Sequence, residues 1–168
     1  MSEKIYKDEN NKYRFDFSDC TVLEYNHLAQ MTTILSDVDF VICSKDEIIF
    51  LEYKNAAVDD VANPDEMLRK LKTEEFYKRI ARKFYSSLFL HWACKENEND
   101  LPINYVLLIE HPEIDSKLRK KLREKIFMQL PVGLKENECV KRSILNQFSV
   151  YNLDEWHRNY PRFQVIPI

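Results

Sequence analysis

Two apolar runs, Val38 to Cys43 and Glu47 to Tyr53, are rich in Val, Ile, Phe and Tyr and stand only Ser44-Lys45-Asp46 apart. β-Branched and aromatic residues suit a pleated, half-buried surface, and a polar link this short joins neighbouring antiparallel strands. The spacing predicts a hairpin with Cys43 opposite Ile48. That register sets Val41 opposite Phe50, Asp39 opposite Glu52, and Asp37 opposite Lys54. Side chains alternate along a strand, so all four charged groups project from one sheet face, with opposed Cβ atoms roughly 4.5 to 5.5 Å apart. Charge inside such a run is costly unless it is paired or metal-bound. The cluster therefore calls for either ordinary surface ion pairing or a chemical purpose.

Other segments supply strands and helices to complete a sheet of this kind. Asn63-Pro64-Asp65-Glu66 reads as a helix start, with Asn as cap, Pro at the first helical position and acids near the positive end of the dipole. The helix is predicted to reach about Trp92, with Tyr77, Ile80, Ala81, Phe84 and Leu88 as its buried stripe and Lys78, Arg79 and Arg82 off it. Ile103 to Ile109 is a nearly continuous apolar run, as in a strand covered on both faces, and Pro112 ends it. A second helix is predicted from Asp115 to Leu130, with Leu118, Leu122, Ile126 and Leu130 on one face and Pro131 as its stop. Residues 12 to 17 alternate polar and aromatic side chains as a half-buried strand does. Cys20 to Met31 reads equally as a short helix or a strand. Trp156 falls in a short helix after Asn152, and Phe163 to Ile166 reads as an edge strand bounded by Pro161 and Pro167. The order implies an α/β domain with a central mixed sheet flanked by helices.

The chain has 168 residues, a single glycine and no Gly/Ser-rich stretch, which fits one compact domain. Its net charge of −3 lacks the signature of a protein that coats nucleic acid, while leaving room for a local basic cleft. Lys and Arg gather in residues 69 to 83 and 117 to 125; acids dominate 59 to 66 and 96 to 100. No stretch is apolar enough to span a bilayer, and residues 1 to 11 are charged, so a cytoplasmic protein without membrane contact is expected. The four cysteines, Cys20, Cys43, Cys94 and Cys139, lack metal-site spacing and are expected to be reduced, packed thiols. With only Gly133 available, a Gly-rich phosphate loop is excluded, and no His pair has the i, i+4 spacing of a metal site.

Two carboxylates facing each other repel and raise a carboxyl pKa unless a metal or an ammonium group compensates. Asp39 and Glu52 would suit Mg²⁺, which takes one or two carboxylates plus waters and phosphate oxygens. Lys54, one pleat further on, could stabilise charge developing on a phosphate or orient an attacking water. Asp39 followed by Glu52-Tyr53-Lys54 resembles the D…(D/E)-x-K signature of the PD-(D/E)XK nuclease superfamily, and Ser36 to Asn55 looks like its bacterial members. The proline of the superfamily's name is absent, since Ser36 precedes Asp37 and Val38 precedes Asp39, which leaves Asp37 beside Asp39 as a candidate acid.

The resemblance implies a restriction-endonuclease-like core. It also implies Asp39 and Glu52 as ligands of Mg²⁺ or Mn²⁺, the Tyr53 carbonyl as a further ligand, and Lys54 as the catalytic lysine. Many members add a glutamate from the first core helix, for which Glu24 is the candidate here. Lys78, Arg79, Arg82 and Lys83, on the helix after the motif strand, become candidate phosphate contacts. The implied activity is phosphodiester hydrolysis of nucleic acid, DNA ahead of RNA, with a homodimer or larger assembly left open. The alternative is an inactive protein of the same fold, a subunit of a defence or repair assembly, with Asp39, Glu52 and Lys54 in a buried structural network.

Overall fold

The computed structural model describes residues 4–55 and 64–168. Its elements are β1 (Ile5–Lys7), β2 (Tyr13–Asp16), β3 (Thr21–Leu23), α1 (Asn26–Ala29), β4 (Phe40–Cys43) and β5 (Ile48–Asn55). There follow α2 (Pro64–Lys70), α3 (Glu74–Ala93), β6 (Ile103–Glu110), α4 (Ser116–Phe127), β7 (Gln147–Tyr151), α5 (Leu153–Asn159) and β8 (Gln164–Pro167). The main sheet has five strands in the order β3-β4-β5-β6-β7. β3, β4 and β5 pair antiparallel, whereas β5–β6 and β6–β7 are parallel. Parallel neighbours need crossovers, and α2 with α3, then α4, supply them. A second sheet of three antiparallel strands, β1-β2-β8, completes the α/β fold.

The β4–β5 hairpin has the predicted register, with Cys43 opposite Ile48 and Val41 opposite Phe50. Alternation then sorts the sheet into two cores. Val41, Ile48, Phe50, Tyr105 and Leu107 pack with Ile80, Phe84 and Leu88 of α3 and with Leu122 and Ile126 of α4. Ile42, Ile49, Leu51, Val106 and Leu108 pack on the other side with Phe15, Phe17, Phe163, Val165 and Trp156. By the same alternation Glu52 and Lys54 lie on the α3 side, and Tyr53 on the side of the small sheet.

Several predicted elements need correction. The single helix predicted up to Trp92 is two helices. Thr73 is extended and its side chain accepts from the Phe76 N–H, capping a new start at Glu74 and breaking the run after Lys70. Asn63, read as the cap of the first, lies outside the described residues. The segment Cys20 to Met31 is both things it was open to, β3 and then the single turn of α1. The predicted Asp115–Leu130 helix is shorter, because Asp115 is its cap, accepting from the Leu118 N–H, and the helix ends at Phe127. Cys20 is buried, but Cys94 and Cys139 are exposed rather than packed. β1 and β7 had no counterpart in the sequence reading. No helix among the described residues is long and apolar enough to cross a membrane.

Candidate functional site

The β4–β5 ladder ends at the Phe40–Leu51 pair, and one residue beyond it a side chain takes over from the backbone. Asp39 Oδ2 accepts the Tyr53 N–H at 2.7 Å. In a strand the N–H and C=O of one residue point to the same edge, so the Tyr53 carbonyl lies on the side of Asp39. Glu52, on the α3 face, has no solvent exposure at all. Its Oε1 is 2.6 Å from Lys54 Nζ and its Oε2 is 3.1 Å from Lys83 Nζ, which reaches it from α3. These two contacts balance the buried charge.

Lys83 also donates to the Asp37 carbonyl at 2.9 Å. Two further donations tie the same segment to α3: Ser36 N–H to Ser86 Oγ at 3.2 Å and Val38 N–H to Ser87 Oγ at 2.9 Å. These contacts hold the approach to β4 along the helix and so fix Asp39. Sequence reasoning took Lys83 for a phosphate contact and passed over both serines. A signal was available, since Lys83, Ser86 and Ser87 at i, i+3 and i+4 put three polar groups together on one side of a largely buried helix.

The electrostatics follow from burial and crowding. Burial, and after it the neighbouring Glu52, pushes the Asp39 carboxyl up to about 7, against the Tyr53 N–H, Lys54 and Lys83. For Lys54 burial acts to lower the pKa, but the attraction and hydrogen bonding of Glu52, with Asp39, outweigh it and hold the ammonium above its ordinary value. Burial also raises Asp37, against its hydrogen bonds and the charge of Lys83.

A cleft of about 720 Å³ opens over this cluster. Asp39, Lys54 and Lys83 line it, together with Asp37, Glu24, and Lys7 and Asp8 at the β1–β2 hairpin. Glu52 is absent from the lining, because the two lysines stand between it and the cleft.

Not every predicted site residue joins the cluster. Asp37 does not face Lys54 across the hairpin. β4 begins only at Phe40, so Asp37 lies off the ladder with its side chain toward Asn26, and Lys54 turns to Glu52 instead. Glu24 sits on the exposed link between β3 and α1 and belongs to no helix. Lys78, Arg79 and Arg82 are exposed on α3 outside the cleft lining, with the Arg79 guanidinium 5.5 Å over the Phe76 ring. Among the described residues no group of three or more Asp, Glu, His or Cys comes together to hold an ion. The donors that do assemble, two carboxylates and a carbonyl edge, are all oxygen and fit Mg²⁺ or Mn²⁺ with water or substrate oxygens completing the shell. Compared with family models, curated proteins and solved structures, the chain matches none.

Proposed function

We propose that the protein is a divalent-metal-dependent nuclease of the PD-(D/E)XK type, built on a restriction-endonuclease-like core and acting on DNA ahead of RNA. The observation that carries this reading is the meeting of Asp39 and Lys54 in the lining of a cleft, with Glu52 buried directly behind Lys54. The antiparallel β3-β4-β5 meander, followed by α3 and the parallel β6, supports it at the level of topology.

Asp39, Glu52 and the Tyr53 carbonyl would hold Mg²⁺ or Mn²⁺. Such an ion, when bound, neutralises charge on the phosphate and makes water a better nucleophile. Lys54 keeps its proton through Glu52 and presents an ammonium to a phosphate oxygen entering the cleft. Lys7, also in the cleft lining, adds a further cation for a nucleic-acid backbone.

The test is cleavage of a supercoiled plasmid and of a single-stranded substrate in Mg²⁺ or Mn²⁺. Wild type is expected to cut, and Glu52→Ala or Lys54→Ala to slow cutting by a factor of about 100 or more. Wild type leaving both substrates intact under every metal condition sinks the proposal. One observation favours a second reading, an inactive interaction subunit: Glu52 is already matched by two ammonium groups without any ion.

A further inference from the structure

Glu52 faces two ammonium groups, Lys54 and Lys83, so its buried charge is already answered before any divalent cation arrives. Each Glu52 oxygen has one lysine on it, and the glutamate itself is sealed from the cleft that both lysines line. An ion entering from the cleft meets an ammonium first. We infer that Lys83 occupies the place of the cation, and that a divalent ion reaches Glu52 only by displacing the Lys83 ammonium from it. This inference rests on the metal-dependent reading of the same site.

The geometry singles out Lys83 over Lys54 as the group that yields. Its contact with Glu52 is the longer of the two, 3.1 Å against 2.6 Å. It also has somewhere to go, because its nitrogen already donates to the Asp37 carbonyl and lies within the field of the Asp37 carboxylate. Released from Glu52, Lys83 remains bonded and partly compensated. Lys54 has the shorter contact and follows Glu52 two residues on along the same strand, on the same face. Lys83 is thus a positioning residue with two states. In one it neutralises Glu52; in the other it withdraws along Asp37 and leaves Glu52 Oε2 to the ion.

The prediction runs against the ordinary expectation that removing a site residue weakens binding. Removing a positive charge about 3 Å from a ligand oxygen strengthens that oxygen's hold on a cation. Isothermal titration of the full, metal-free chain with Mn²⁺ is therefore expected to show Lys83→Met binding about tenfold more tightly than wild type. Lys83→Gln should do the same, because it too removes the charge while keeping a polar side chain at this half-buried position, so it decides the matter should the Met variant not fold. Adding Glu52→Gln to either variant should cancel the gain. Mn²⁺ should also raise the melting temperature of Lys83→Gln more than that of wild type. Equal or weaker Mn²⁺ binding in the folded variants overturns the inference and leaves the metal reading standing. No binding in any variant, wild type included, overturns both.

Discussion

His91 lies two turns beyond Lys83 on α3, and burial acts on it without an opposing charge. The ring is fully buried, its Nδ1 is 2.7 Å from the Tyr25 hydroxyl, and burial, with a smaller push from Arg142, brings its pKa down to about 4. The folded state therefore keeps the ring neutral, while the unfolded chain takes up a proton near the ordinary histidine value of about 6.5. The stability contributed is present above that value and is lost as pH falls toward 4. Asp39 works in the other sense. With its folded pKa raised to about 7, its ionisation weakens the fold as pH rises between its ordinary value of 3.8 and 7. The two slopes oppose each other over one window. In metal-free buffer, denaturant unfolding should show His91→Gln losing less stability than wild type on going from pH 6.5 to 4, by about 2 to 3 kcal/mol. Asp39→Asn should lose more. Parallel curves for all three proteins would refute the assignment. Asp39 and Glu52 could be read from sequence because strand alternation and a short link fix their relation. Their pairing with Lys83 could not, since it depends on how far along the sheet α3 settles.

At the scale of elements, local chemistry was legible where it was self-contained. Asn152 caps α5 through a complete capping box with Glu155, and Trp156 sits on that helix as its sequence suggests. β1 has no signature in the sequence, and β3 reads equally as helix or strand, because each has three residues and only pairing with another strand makes it one. The break between α2 and α3 was hidden by an apolar periodicity that runs on through Leu71, although Thr73-Glu74-Glu75 is a plain helix start. Glu155 has a second duty, which no local pattern shows. It receives Arg119 of α4 at 2.9 and 3.0 Å, while Arg119 Nη1 donates to the Ile114 carbonyl at 2.7 Å. Glu155→Ala strands a nearly buried guanidinium and is expected to cost about 3 kcal/mol. Thr73→Ala removes one cap and should cost about 1 kcal/mol. Chemical denaturation measures both, and equal costs would mean that the Arg119 link carries nothing.

Across the whole molecule, the five-stranded sheet is held between unlike layers, helices on one side and the small sheet with α5 on the other. Trp156 has no exposure, and its indole N–H donates to the Phe163 carbonyl at 2.8 Å. Trp156→Ala should cost about 3 to 5 kcal/mol, a large share of the stability of a domain this size. Hydrogen exchange should then show β2 and β8 losing protection before β5 and β6 do; uniform loss would mean that the two layers unfold as one. The crossover from β5 to β6 also sets an order of events in time. The β4–β5 hairpin joins near neighbours and can form within microseconds, whereas laying α3 over β5 waits on closing a long loop. Glu52 is therefore placed beside Asp39 while water still covers it, and loses that water only when α3 arrives carrying Lys83. The helix that buries the carboxylate carries its second counter-ion, so covering Glu52 and compensating it are one packing event.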